Sequence, residues 1–387
     1  MRSAASTPPP RNWARLQLLR LIGRTLPARA RPRSKPERVL LLRPDHIGDV
    51  LLTASAIALL RESLPGAHLT YVVGPWSVEA ARRGPAVDEV RILAYPGFTR
   101  RRNRNLADPY AGLLREAARL RSERYDVAVV LRADHWWGAL LALVAGIAVR
   151  VGGDTPETSP LLTHAYATPA DQSWAEQALG IARLALNAVG ALPAAVDDAK
   201  PFTVNPSVAD AFWQQHGLGD GVVAIHPAAG APLKSWPIER WARLADALIE
   251  SGRQVVLTGA PGDVGLLDAV GKRMRGYVPA LWGQSLEVSA AVYARCALVI
   301  AVDSGAGHLA AAVGTSTVRL YGPAPTTVFG PWPARGNQRV LCAAHLACAP
   351  CGFLESPPCG AATTPACMLA IGVDDVLKAA NAELNRS

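Results

Sequence analysis

Five places in this sequence hold residues whose type and spacing can do chemistry. Arg43-Pro44-Asp45-His46-Ile47-Gly48-Asp49 follows the apolar run Val39–Leu42 and sets two carboxylates four residues apart. A carboxylate at the end of a buried strand can take a proton from an alcohol; the same residue can simply cap the helix that follows. His226-Pro227-Ala228-Ala229-Gly230-Ala231-Pro232-Leu233-Lys234-Ser235-Trp236-Pro237 carries one lysine in a loop of small residues, where a ligand can approach closely and find a mobile cation. Thr258-Gly259-Ala260-Pro261-Gly262-Asp263 is a further glycine-rich turn. Val302-Asp303-Ser304-Gly305-Ala306-Gly307-His308 opens a helix with two capping residues and then small ones, so its first amides stay uncovered for an anion. His308 in that first turn is either a packed histidine or a donor to a ligand oxygen. The last place is a cluster of cysteines, Cys348, Cys351, Cys359 and Cys367, spaced C-x2-C-x7-C-x7-C.

These residues must be positioned by elements, and the chain supplies an alternating pattern of them. Strand-like runs at 39–43, 69–73, 89–93, 127–131 and 150–152 are separated by helical stretches at 51–63, 110–121 and 136–149. After a Pro/Ala/Asp-rich stretch at 192–206 and a helical connector around 208–216, strands at 222–226, 254–258, 298–302 and 317–321 alternate with helices at 238–251, 264–274, 289–295 and 308–313. The pattern predicts an α/β chain with two Rossmann-like domains facing each other across a cleft, the first at 39–206 and the second at 207–387, the latter including a Cys-rich segment at 342–367. Ligands of such sheets lie beyond the carboxyl ends of the strands, where four of the five places fall. The chain has no G-x-G-x-x-G and no G-x-x-x-x-G-K-[ST], which excludes the dinucleotide fingerprint and the P-loop.

Charge narrows the partners. The chain of 387 residues has a net charge of +9, and residues 1–38 hold ten Lys/Arg against one Glu. The rest is therefore balanced, with 30 basic and 30 acidic residues, and a folded body without net charge gives no support for nucleic-acid binding. The tail 1–38 reads as a membrane-surface contact, a solvated extension or a presequence. Its helical face around Trp13–Ile22 is poorly amphipathic, because Arg11 and Arg15 fall opposite Arg20 and Arg24. The longest uncharged apolar stretch, 136–149, is shorter than the roughly 20 residues a bilayer span needs and is expected to be a buried helix. A cytoplasmic protein follows, peripheral on the inner membrane face if the tail binds there.

The motifs R-P-D-H-I-G-D-V-L-L-T, H-P-A-A-G-A-P-L-K-S-W-P, V-D-S-G-A-G-H-L-A-A-A-V and Y-G-P, in this order between about Val39 and Val376, resemble glycosyltransferase family 9, the lipopolysaccharide heptosyltransferases. The resemblance implies a GT-B fold and inverting transfer of heptose from ADP-heptose to a hydroxyl of the lipopolysaccharide inner core, without a catalytic divalent metal. Carried over by position, it makes Asp49 the base and puts Lys234 by the donor phosphates. Asp303 holds the donor sugar, and Ser304, Gly305, Gly307 and His308 form the diphosphate-facing turn, with Gly259 and Gly262 on the same donor side.

Other features stand outside the motifs. His46 occupies a position expected to be apolar or basic. Arg100, Arg101, Arg102 and Arg104 form a dense cluster, read as a solvated loop or as contact with an anionic, lipopolysaccharide-type acceptor. Four cysteines in a cytoplasmic chain point to a structural zinc or iron site rather than disulfides, with free thiols as the alternative. Two rival functions remain: a family member using another nucleotide sugar or a protein acceptor, and a non-catalytic binding, metal or redox module centred on the cysteines.

Overall fold

The computed structural model describes residues 10–26, 35–98, 108–169, 171–195, 202–332 and 336–386, with the backbone alone at 10–12 and 108–109. The chain divides into two units: residues 1–46 with 53–197, and residues 47–52 with 198–387. The division after 197 falls earlier in the Pro/Ala/Asp-rich stretch than 206, and the short helix Ile47–Leu52 groups with the second unit although it follows a strand of the first.

The first unit is built on a parallel sheet of β1 (Arg38–Arg43), β2 (His68–Val73), β3 (Glu89–Ile92), β4 (Val127–Val130), β5 (Val149–Gly153) and β6 (His164–Tyr166), in the order β3-β2-β1-β4-β5-β6. Strands covered on both faces are apolar throughout rather than alternating, as Val39–Leu42 at 0% exposure and Val127–Val130 show. The second unit repeats the plan with β7 (Val223–His226), β8 (Val255–Gly259), β9 (Ala280–Trp282), β10 (Leu298–Val302), β11 (Ser316–Tyr321) and β12 (Gln338–Cys342), ordered β12-β11-β10-β7-β8-β9. Each sheet starts in its middle and winds first one way and then the other. Each therefore has a switch point where neighbouring loops diverge, at β1/β4 and at β7/β10.

Three expectations about elements are corrected. The helix after β1 is two helices, Ile47–Leu52 and Ala54–Ser63, parted at Thr53, whose buried hydroxyl bonds the Tyr71 hydroxyl at 3.0 Å. The apolar run 136–149 is helix Trp136–Val144, a turn at Gly146 with φ +79°, and the start of β5. The described part of the tail, 10–26, is not separate from the first unit. Helix Pro10–Thr25 packs in the first unit, with Leu19 in its core at 2% exposure and the Arg15 guanidinium 5.2 Å from the Trp136 ring centre. Gly23 is required there, because a Cβ would come within 2.0 Å of the Pro160 carbonyl oxygen. No helix among the described residues is long and apolar enough to cross a membrane.

Candidate active site

In the second unit, β10 ends at Val302 and Asp303 follows, almost fully buried, at the β7/β10 switch point. Lys234 reaches it from the loop after β7: Lys234 Nζ lies 2.6 Å from Asp303 Oδ2. The loop is pinned by Trp236, which is buried and donates from Nε1 to the Ile371 carbonyl at 3.0 Å. Asp303 Oδ2 is buried against the Lys234 ammonium in an ion-pair contact without an aligned hydrogen bond.

Helix Gly305–Ala312 starts beside this pair. Its N-cap residue, Ser304, makes no capping bond, and the Ser304 hydroxyl is buried without a partner. The first amides of the helix thus carry the partial positive charge of a helix start with no side chain of their own to spend it on. Gly307 is a glycine because Arg319 lies beneath it, where a Cβ would meet Arg319 Cδ and Nε at 3.0 Å. Arg319 is fully buried on β11 and donates to Thr317 Oγ1 at 3.2 Å and Gln338 Oε1 at 3.1 Å. Sequence reading missed Arg319, whose position inside an apolar strand, Thr317-Val318-Arg319-Leu320, was the available signal. Burial, then the neighbouring Arg319 and Lys234 charges, push the His308 pKa well below the usual 6.5, so this ring is neutral.

Helix Ile47–Leu52 packs against Gly305–Ala312. Gly48 allows it, since a Cβ there would stand 3.0 Å from His308 Cδ2 and 3.4 Å from Gly305 Cα. Asp49 sits part-exposed in the first turn of this short helix. Asp49, Lys234, Asp303, Ser304, Gly305, Gly307 and His308 thus belong to one unit. Gly259 ends β8, where a Cβ would press on Asp263 at 3.0 Å, and Gly262 lies in the 3-10 turn Pro261–Asp263. Near them, at the end of β7, His226 shares a buried cluster with Thr258, at 3.1 Å, and Tyr293, at 3.3 Å, and burial lowers its pKa to about 4.

Asp45 is a different kind of residue. It is buried at 2% exposure, with Arg43 Nε 2.7 Å from Oδ2 and Arg132 Nη1 on Oδ1. Its backbone carbonyl accepts from Trp76 Nε1 at 2.8 Å and Ser77 Oγ at 2.9 Å. A carboxylate held by two guanidiniums is committed to structure. His46 is exposed and lies against Trp76, ring centres 5.4 Å apart.

Arg100, Arg101, Arg102 and Arg104 lie outside the described residues. The cysteines are not gathered as the spacing predicts. Cys348 and Cys359 are exposed, Cys351 is partly exposed and Cys367 is buried, and no group of three potential ligands is placed to hold a metal among the described residues. Burial raises the Cys367 pKa. The glycine of Y-G-P accounts for part of this packing: a Cβ on Gly322 would meet Met368 Sδ at 2.5 Å and Cys367 Sγ at 3.3 Å.

Two doubly wound parallel sheets, one with an uncapped helix start and a Lys–Asp pair at its switch point, define a GT-B glycosyltransferase fold. Residues 113–357 match the profile of glycosyltransferase family 9 (heptosyltransferase), and the chain belongs to that family. It is 27% identical to lipopolysaccharide heptosyltransferase 2 of Salmonella typhimurium over 310 residues, 74% of this chain and 83% of the relative. Lipopolysaccharide heptosyltransferase 1 of Pseudomonas aeruginosa is also 27% identical, over 81% of this chain and 86% of its own length. Among solved structures, E. coli ADP-heptose lps heptosyltransferase II superposes with a TM-score of 0.70 at 23% identity, covering 90% of this chain and 99% of that one. The chain is a glycosyltransferase enzyme, and its family ties it to lipopolysaccharide core biosynthesis.

Proposed function

We propose that this enzyme transfers heptose from ADP-heptose to a hydroxyl of an anionic lipopolysaccharide inner-core acceptor, with inversion at the anomeric carbon. The observation that carries the reading is the uncapped start of helix Gly305–Ala312 beside the Lys234–Asp303 pair. A diphosphate satisfies the bare amides, Lys234 supplies the counter-charge, and the Asp303 carboxylate holds the donor sugar. Asp49 takes the proton of the acceptor hydroxyl as its oxygen attacks the anomeric carbon from the side opposite the leaving group. The bond from that carbon to the phosphate oxygen breaks with its electron pair, and ADP departs carrying the charge. Lys234 and the helix amides stabilise that charge as it develops, the part a divalent cation plays elsewhere. His308, neutral in this environment, serves as a hydrogen-bond donor rather than a cation.

The enzyme works on this reading at the cytoplasmic face of the inner membrane, held there by helix Pro10–Thr25. One side of the helix is bound to the first unit, and the other presents Trp13, Leu18 and Leu21 at 57, 49 and 58% exposure together with exposed Arg20 and Arg24. Apolar side chains among arginines, in a tail that carries the chain's net charge, suit an anionic lipid surface. The C-x2-C-x7-C-x7-C segment is where the chain would hold a structural zinc or iron, a proposal resting on donor type and spacing.

The test is donor-dependent. ADP-heptose, or ADP alone, is expected to raise the melting temperature, by about 2.7 kcal/mol of stabilisation at 100 times the dissociation constant. Heptose is expected to appear on a lipopolysaccharide core acceptor. No shift with any nucleoside diphosphate or nucleotide sugar at millimolar concentration would remove the donor site. Transfer from another nucleotide sugar alone, or to protein alone, would replace the substrate.

A further inference from the structure

Lys234 stands on a loop of small residues, 228–231, that have no polar side chains to brace it. The backbone bonds of its turn are local, Lys234 N–H to the Ala231 carbonyl and Ser235 N–H to the Pro232 carbonyl, each at 3.0 Å. A lysine on a four-carbon stem is mobile, yet a counter-charge works best when its position is set before the reaction. We infer that Arg240 is a positioning residue for Lys234: it clamps the turn 369–371 as the fixed base on which the lysine loop stands.

Arg240 lies in the first turn of helix Ile238–Glu250, which follows the loop directly. Its Nη1 donates to the Leu369 carbonyl and to the Ile371 carbonyl, both at 2.6 Å. The Ile371 carbonyl also accepts from Trp236 Nε1 at 3.0 Å, so both of its lone pairs are used. The two donors come from the exit of the lysine loop and from the helix after it, and they converge on one oxygen. These carbonyls stand where helix Ala366–Leu369 ends, the place where backbone oxygens lack partners within a helix and a guanidinium can supply them.

The base itself is firm. Met368 and Ile371 are buried in the core of the second unit with Trp236 and Trp241, whose rings meet edge-on with centres 4.8 Å apart. The same segment abuts the Y-G-P turn after β11, where a Cβ on Gly322 would meet Met368 Sδ at 2.5 Å. β7 and β11 are the two neighbours of β10, so the loops resting on this segment are those on either side of Asp303. Arg240 acts through the Ile371 carbonyl and Trp236 rather than on a reacting atom. Without it the turn 369–371 loosens, Trp236 loses its fixed acceptor, and the Lys234 ammonium drifts from Asp303. A misplacement of about 1 Å can cost on the order of 10²-fold in rate.

The clamp serves the reaction on the reading that Lys234 is the donor's counter-charge, so the lysine's position and the donor's affinity are measured separately. Lysines of the full chain are acylated with an N-hydroxysuccinimide ester and counted by mass spectrometry, with exposed Lys272 and Lys378 as internal standards. Well below its melting temperature, Arg240→Met is expected to raise labelling of Lys234 several-fold against both standards, and Arg240→Lys, which keeps a donor, to raise it less. Trp236→Phe keeps the ring in the core and removes only the second donor to Ile371. It is expected to act in the same direction, so the outcome does not hang on one variant's fold. Calorimetric titration with ADP gives the second measurement. Arg240→Met should weaken ADP about tenfold where Lys234 is present and less than twofold in Lys234→Met, because a residue that acts through the lysine is silent once the lysine is gone. Unchanged Lys234 labelling in both Arg240→Met and Trp236→Phe, or the same loss of ADP affinity with and without Lys234, would overturn the positioning role and leave Arg240 a stabilising residue. If Lys234→Met bound ADP as tightly as the unaltered chain, the counter-charge reading would fall instead, and raised labelling would still uphold the clamp.

Discussion

Arg319 Nη1 lies 3.3 Å from His308 Nδ1 beneath the start of helix Gly305–Ala312. A guanidinium has no acceptor, so Nδ1 must accept and the single ring proton sits on Nε2. The pair thus fixes both the tautomer and the neutrality of the histidine, and it leaves a defined N–H to offer. The first prediction follows from removing the arginine. In the unaltered chain His308 titrates well below 6.5; in Arg319→Met its pKa rises, remaining below 6.5 because burial is the larger cause. Imidazole NMR titration reads this directly, and an ordinary titration near 6.5 in the unaltered chain would contradict it.

Stability is expected to fall in mild acid. Burial lowers His135 to about 3 and His226 to about 4, while both take up a proton near 6.5 once unfolded. The folded values are the depressed ones, so the unfolded chain binds more protons between pH 6.5 and 4. Stability is therefore flat above 6.5 on their account and declines below it, by about 1.4 kcal/mol per pH unit for each histidine. Urea midpoints at pH 7 and pH 5 check the sign, and His226→Gln should reduce the slope of the second unit. An unchanged slope in that variant would mean another group titrates.

The strands and the chemistry at their ends were legible because a parallel strand buried on both faces is a short apolar run, and its joint is marked by Gly, Pro and capping residues. Leu298–Val302 followed by Asp303 is such a case. The edge strand His164–Tyr166 is three residues long and partly exposed, too short for any periodicity to register. Helix Trp174–Ala188 did carry a readable signature in Ser173 and Glu176, which was overlooked. Asp45 and Asp49 could not be told apart by spacing. What separates them is Arg132, distant in sequence, which the β1–β4 pairing brings to Asp45. Helix Pro10–Thr25 looked poorly amphipathic because its buried side is narrow, with Leu19 as its deeply buried residue and a glycine against Pro160.

For the cysteines, the expected outcome is about one zinc or iron per chain in protein prepared under reducing conditions. Cys359, exposed, is one of the four proposed donors, so Cys359→Ser should lose the metal and lower the melting temperature, binding at such sites being partly folding free energy. Elemental analysis without either metal would leave the segment as free thiols.

The outward side of helix Pro10–Thr25 can be altered without touching its packing. Replacing Trp13, Leu18 and Leu21 by Ser should leave the fold and turnover on a soluble acceptor near normal, because all three side chains face solvent. Sedimentation with vesicles containing anionic lipid should fall several-fold, and raised salt should weaken the unaltered chain as well, since part of the attraction is charge. Deleting residues 1–38 is the poorer experiment: it strips Leu19 from the core of the first unit. Equal vesicle binding by both proteins would end the membrane role.

Asp49→Asn and Asp45→Asn should fail in different ways. Asn is nearly isosteric with Asp and is tolerated at a helix start, so Asp49→Asn should keep its melting temperature and its response to ADP. Its kcat should drop by about 10²–10⁴, the range for loss of a positioned acid–base group. Asp45→Asn removes the charge between Arg43 and Arg132 and leaves a buried guanidinium uncompensated, which should cost about 3–5 kcal/mol. That loss is read in the melting temperature, and turnover measured well below it should fall less than in Asp49→Asn. If Asp49 were only a residue of the first helical turn, its amide variant would turn over at a near-normal rate. If Asp45→Asn kept its stability and lost all turnover, the base would be Asp45, and the pair of arginines would be tuning a catalytic carboxylate.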